Sequence, residues 1–240
     1  MKYSAYYVEE TDGAFSASIS ELELEKPSDG FVQIQVSFSS LNYKDALSAS
    51  GNKGVTRNYP FVPGIDAAGT ISDANSSNFV EGDEVLVTGY DMGMNTPGGF
   101  GEFINVPANW VVKKPSALTS IEAMSIGTAG LTAAASVLKI QESAQESDLP
   151  VLVSGATGGV GSIGVMLMSK LDKEVTALTG KSSSVDFLKS IGAKNVILRD
   201  DFLEGPAKPL ERALFSSAID TVGGNAVSYT HLTLPTKRIV

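Results

Sequence analysis

An α/β fold is predicted, with a β-rich N-terminal domain followed by a partial doubly wound parallel sheet. Three observations predict it. Up to about Pro115 the chain alternates apolar and polar residues between turn signals, as in Val32-Gln33-Ile34-Gln35-Val36-Ser37-Phe38 after Pro27-Ser28-Asp29-Gly30. From Thr119 onward, short apolar strands alternate with helices, the pattern of a parallel sheet. Within that second part, Val151-Leu152-Val153 runs into Ser154-Gly155-Ala156-Thr157-Gly158-Gly159-Val160-Gly161 and then into Ser162-Ile163-Gly164-Val165-Met166-Leu167. The order is strand, glycine-rich turn, apolar helix start.

Taken along the chain, Glu81-Gly82-Asp83 is a turn entering a strand at Glu84-Val85-Leu86-Val87, and Pro97-Gly98-Gly99-Phe100-Gly101 is another, entering Glu102–Val106. Thr119-Ser120-Ile121-Glu122 is a capping box, in which hydroxyl and carboxylate satisfy the free N–H groups at a helix start. After the glycine-rich turn come a strand over Glu174–Leu178, a helix near Val185–Ile191 stopped by Gly192, and strands over Asn195–Leu198 and Ser217–Val222. The expected domains are residues 1–118, β-rich, and 119–226, built on the parallel sheet.

Composition excludes several classes of function. The 240 residues contain no cysteine and a single histidine, His231, which removes disulfides and Cys/His zinc sites. The net charge is −9 with no Lys/Arg run, so a nucleic-acid surface is not expected. The N-terminus lacks an apolar signal core, and no stretch reads as long enough to span a membrane, so a cytoplasmic location is expected.

A glycine-rich turn between strand and helix holds a dinucleotide pyrophosphate. The glycines let the backbone approach the phosphates, and the helix N-terminus offers free N–H groups and a positive dipole end. Sites for NAD carry Asp or Glu at the end of the second strand, about 20 residues further on, to bind the ribose 2′-hydroxyl. Here that strand runs out into Thr179-Gly180-Lys181-Ser182-Ser183, with a cation and hydroxyls and no carboxylate. A 2′-phosphate suits this set better, so NADP(H) is expected, with Arg199 at the end of the third strand as a second cation. Read without a ligand, Lys181 and Ser182–Ser184 are a solvated helix start.

Ser40-Leu41-Asn42-Tyr43-Lys44-Asp45-Ala46-Leu47, Pro63-Gly64-Ile65-Asp66-Ala67-Ala68-Gly69-Thr70, Gly127-Thr128-Ala129-Gly130-Leu131-Thr132-Ala133 and Ala218-Ile219-Asp220-Thr221-Val222-Gly223 occur in order around the glycine turn. Together they resemble the zinc-independent quinone-reductase branch of the medium-chain dehydrogenase/reductases, over residues 1 to about 226. The resemblance implies a GroES-like domain joined to a partial Rossmann domain, with NADPH in the cleft between them and a homodimer when the chain is full length. The implied reaction is hydride transfer to the activated C=C of an α,β-unsaturated thioester such as acryloyl-CoA, on a small-molecule substrate. Reduction of quinones or other enones is the near alternative, and a non-catalytic NADPH-binding module the distant one. The cofactor contacts it implies are Tyr43, the turn Thr157, Gly158, Gly159 and Val160, the strand exit Thr179, Gly180 and Lys181, and Arg199. Relatives often carry arginine where this chain has Lys181, which keeps the charge and loses the planar fork.

Without a metal, the enolate formed on hydride addition must be stabilised by N–H groups or hydroxyls. Tyr43 is the side chain singled out, as cofactor contact first and as a catalytic donor second; packing at a helix start is its structural alternative. Asp45 either orients Tyr43 or Lys44 or caps and pairs on a surface. Asp66 reads as a satisfied strand carboxylate, and Thr128 borders the nicotinamide or simply packs.

The likeness stops near Asn225. Val227-Ser228-Tyr229-Thr230-His231-Leu232-Thr233-Leu234-Pro235-Thr236 resembles the translation of a transposon-based sequencing adapter, so residues 227–240 are expected to be non-native. Only four strands of a six-stranded dinucleotide sheet are then present, and activity is expected of the complete parent rather than of this chain.

Overall fold

The computed structural model describes residues 1–75, 77–143, 147–203 and 214–223, so the expectation for residues 227–240, including His231, lies outside the described residues. The chain forms two compact units, Met1–Thr128 and Ala129–Val240.

In the first unit, β1 (Lys2–Thr11) and β2 (Ala14–Glu23) form an antiparallel hairpin in which Thr11 pairs with Ala14. The two residues between them, Asp12 at φ 51° and Gly13 at φ 79°, both take the left-handed conformation that a two-residue turn needs to match strand twist. The main sheet contains β3 (Phe31–Phe38), β4 (Asp66–Asp73), β5 (Glu84–Thr88), β6 (Phe103–Pro107) and β7 (Val112–Lys113), in the order β6-β3-β4-β5-β7 and antiparallel throughout. Its alternating apolar residues, Val32, Ile34, Ala67, Ile71, Val85, Val87, Ile104 and Val106, form one core with Met92 and Val111. One short helix, α1 (Tyr43–Ala49), lies between β3 and β4 in the chain.

The expected capping box opens α2 (Ser120–Ser143): Glu122 N donates to Thr119 Oγ1 at 3.2 Å, and Thr119 N donates to Glu122 Oε2 at 2.8 Å. By length and composition alone, α2 is long and apolar enough to cross a membrane. It is not one straight helix, however. Gly127, at φ 46° and ψ −155°, leaves the helical conformation, and the longer piece, residues 128–143, falls short of the ~20 residues a span requires.

The second unit is a four-stranded parallel sheet of β8 (Val151–Ser154), β9 (Val175–Thr179), β10 (Asn195–Leu198) and β11 (Ser217–Ile219), in the order β10-β9-β8-β11. That is the 3-2-1-4 portion of a doubly wound sheet, and the order reverses at β8. Strands β8 and β9 are buried at every position, as expected for strands covered on both faces. Around them stand α3 (Gly159–Lys170), α4 (Val185–Ser190) and α5 (Arg199–Leu203). Strand β11 ends at Ile219 rather than Val222, because side-chain hydrogen bonds of Ser154, Asp220 and Thr221 replace the ladder there.

Candidate functional site

Residues 154–161 leave the carboxyl end of β8 and turn into α3. Gly155 sits at φ +56°, and a Cβ placed on it would lie 2.2 Å from Thr221 Oγ1. Gly158 N donates to Gly155 O at 2.9 Å, and Ala156 N donates to Leu178 O at 3.2 Å, tying the turn to itself and to β9. Gly161 packs so closely that a Cβ would meet Gly155 O at 2.3 Å, which seats α3 on the strand. Written literally, G-x-G-x-x-G is matched by Gly159, Gly161 and Gly164, and all three lie inside α3. The glycines that make the turn are Gly155 and Gly158.

Gly158 caps α3 in an extended conformation without any side-chain cap. The first N–H groups of α3, on Gly159, Val160 and Gly161, have no acceptor within the helix. Gly158 and Gly159 are exposed, and Thr157 and Val160 half-buried, so the N-terminal turn is open to a ligand. An anion approaching it meets N–H donors and the positive end of the helix dipole. A pyrophosphate fits these residues, because Gly158 and Gly159 are exposed and carry no side chain to cover the N–H groups of the turn.

At the next strand end, Thr179 is buried and accepts a hydrogen bond from Lys181 N at 3.1 Å. Gly180 and Lys181 are exposed. The Arg199 guanidinium lies over Gly180, with Cζ and Nη2 both 3.3 Å from where a Cβ would stand. Its contact with Asp200, 3.7 Å between Nε and Oδ1 with both side chains exposed, is a weak competitor for a phosphate. The second and third strands thus bring Lys181 and Arg199 to one edge, on either side of Gly180.

In the first unit the polar residues of the Ser40–Leu47 and Pro63–Thr70 segments form a different cluster. Asp66, at the start of β4, is completely buried. It accepts hydrogen bonds from Asn42 Nδ2 at 2.9 Å, Thr128 N at 3.0 Å and Thr128 Oγ1 at 2.7 Å. The satisfied carboxylate expected at this position is therefore present, and it ties α1's entry to the break in α2. Gly127 is required at that break, since a Cβ there would lie 2.7 Å from Ser40 Oγ and 2.8 Å from Asp66 Oδ2. Ser40 in turn donates to Met124 O at 2.7 Å.

Asp45 is buried and orients neither Tyr43 nor Lys44. Its carboxylate accepts from Asn42 N at 2.8 Å and from Ile65 N at 3.0 Å, capping α1 and holding the loop before β4. It is an interior cap rather than the surface pair of the alternative reading, because its shape fits two otherwise unpaired N–H groups. Burial raises its pKa above the ordinary 3.8; hydrogen bonds from Asn42 and Ile65 act against this, and the charge of Asp66 adds to it. Tyr43 is 82% exposed, with its hydroxyl unbonded among the described residues. Lys44 is exposed as well.

The sequence reading missed the stitching of Ser154 to Asp220 and Thr221. The only signal was a polar residue, Ser154, in a buried strand and polar residues just past another strand far along the chain.

Residues 28–116 match the model of the alcohol dehydrogenase GroES-like domain. The chain is 41% identical over 93% of its length to the Escherichia coli K12 protein named "Probable acrylyl-CoA reductase AcuI", covering 69% of that protein. It is 38% identical over 90% of its length to the acrylyl-CoA reductase AcuI of Ruegeria pomeroyi, covering 66% of it. The crystal structure of the yhdH oxidoreductase from Salmonella enterica in complex with NADP superposes with a TM-score of 0.89 at 40% identity, over 96% of this chain and 71% of that one. That of Bacillus subtilis protein yhfP with NAD bound superposes at 0.91 and 37% identity, over 98% and 71%. The chain spans 61% to 69% of the length of three curated relatives it matches. It belongs to the medium-chain dehydrogenase/reductase family, in the branch of acrylyl-CoA reductases and quinone oxidoreductases.

Proposed function

We propose that this chain is the larger part of an NADPH-dependent reductase that delivers hydride to the activated C=C of an α,β-unsaturated thioester such as acryloyl-CoA. The parent acts as a cytoplasmic homodimer, with residues 1–118 as substrate domain and 119–226 as cofactor domain. One observation carries the cofactor assignment: an open glycine turn at the end of β8 stands beside a strand end carrying Lys181 and Arg199 around Gly180. The first turn of α3, Thr157 to Val160, takes the pyrophosphate. Lys181 and Arg199 take the 2′-phosphate as point charge and planar fork, and Thr179 shapes the strand exit between them.

Bound there, the cofactor supplies the hydride. The protein's part is to hold the acceptor and stabilise developing negative charge on the thioester oxygen by hydrogen-bond donors already in place. Tyr43 offers an exposed hydroxyl with no partner among the described residues. Its backbone is fixed by the Asn42–Asp66 and Asn42–Asp45 hydrogen bonds while its hydroxyl stays available. We assign it a cofactor contact and, second, a donor role toward the substrate.

Relatives named as quinone oxidoreductases favour a second acceptor class, quinones or other enones. The complete parent, mixed with NADPH and a panel of acryloyl-CoA, crotonyl-CoA, simple enones and quinones, separates the readings through loss of reduced-nicotinamide absorbance. Preference for acryloyl-CoA supports the thioester assignment, and faster oxidation by quinones replaces it. Tight NADPH binding with no oxidation by any acceptor would leave a binding module.

A further inference from the structure

Strand β11 is paired to β8 up to Ile219 opposite Val153, and the main-chain ladder stops there. Side chains continue it. Ser154 Oγ donates to Asp220 Oδ1, Thr221 N donates to Ser154 Oγ at 3.0 Å, and Thr221 Oγ1 donates to Ser154 O at 2.9 Å. The Asp220 carboxylate also accepts from Val222 N and Gly223 N, each at 3.2 Å. Its charge is thereby matched by three donors and folds residues 220–223 back on themselves. Because Gly155 has no Cβ, Thr221 lies against the glycine turn.

The strand order says which half of a dinucleotide meets this loop. Lys181 and Arg199 stand at the ends of β9 and at the start of α5 after β10, all on one side of β8. If the adenosine half and its 2′-phosphate lie there and the pyrophosphate over the turn, the other half must extend past β8 toward β11. Among the described residues, 220–223 are the chain found at the end of β11 on that side.

We propose that Asp220 is a positioning residue for the nicotinamide half of the cofactor. Acting with Ser154 and Thr221, it holds the main chain of Val222 and Gly223 as a preformed wall beside the glycine turn. This rests on the reading that the turn holds NADPH. A loop held by hydrogen bonds before binding loses less freedom on binding, so its contribution appears as affinity for the half it touches.

The test is to titrate the full 240-residue chain with NADPH and with adenosine 2′,5′-bisphosphate, which carries the adenosine end without nicotinamide. Asp220→Ala and Ser154→Ala are each expected to weaken NADPH about tenfold while leaving the bisphosphate within about twofold. Thr221→Ser, which keeps the donor to Ser154 O, should behave as the unmodified chain. Equal losses for both ligands would mean a merely structural role, and unchanged NADPH affinity would remove any role; either overturns the proposal. If the unmodified chain binds neither ligand, the cofactor reading itself has failed and takes this one with it.

Discussion

Asp66 and the Lys181–Arg199 pair are the most informative charged groups of the two units, and they are handled in opposite ways. Asp66 is completely buried and takes hydrogen bonds from Asn42 and Thr128, so its charge is used up inside the protein. Lys181 and Arg199 are exposed beside Gly180, and among the described residues their one ion pair is the long contact of Arg199 with Asp200. A charge matched internally sets position, because exchanging it would leave buried donors unpaired. A charge left open at a strand end is available to a ligand, and its removal should cost binding rather than folding.

That contrast can be broken by substitution, beginning where the effect should be largest. Gly161→Val would push a side chain into Gly155 O, which a Cβ alone would meet at 2.3 Å. NADPH binding should become unmeasurable by fluorescence titration, and near-normal affinity would show that the seat of α3 is dispensable. Asp66→Ala should lower stability by about 3 kcal/mol in urea unfolding, since three buried hydrogen bonds to a carboxylate are lost. A loss under about 1 kcal/mol would mean that the cluster is not the structural tie described.

Lys181→Ala with Arg199→Ala should leave the unfolding midpoint unchanged and weaken NADPH at least tenfold, with NADH affected less than about twofold. Equal losses for both cofactors would remove the 2′-phosphate assignment. Tyr43→Phe removes an exposed hydroxyl with no partner among the described residues, so stability should not move. NADPH affinity or turnover of the parent should fall a few-fold, and identical kinetics would end its polar role.

The smallest effect concerns Glu122. Hydrogen bonds from the Thr119 backbone and then its hydroxyl hold its pKa below the ordinary 4.5. Its stabilisation is complete above 4.5 and is lost as the pH falls through the lower folded value, so Glu122→Gln should differ from the unmodified protein at neutral pH and converge with it in acid. Asp45 runs the other way: its raised pKa makes ionisation unfavourable to folding, and that penalty disappears as the pH drops below 3.8.

What was legible in the sequence was local or periodic. The alternating strands, the Thr119 capping box, the glycine turn and Lys181 each lie within a few residues of the signal that reveals them. The break in α2 was less legible, because a single glycine within a helix-length apolar run reads as tolerated. Its cause is a contact with Asp66, about 60 residues earlier in the chain. The same holds for Ser154 with Asp220 and for Asp45 with Ile65: pairing across the fold fixes these roles, and neither residue's neighbours in sequence indicate its partner.

Since one similar structure carries NADP and another NAD, the most direct measurement is the affinity of the unmodified chain for NADPH and NADH, followed by reduced-nicotinamide fluorescence. With Lys181 and Arg199 open at the strand end, NADPH should bind at least tenfold more tightly, and added salt should narrow the gap. Equal affinities, or tighter binding of NADH, would contradict the assignment of that edge to a 2′-phosphate.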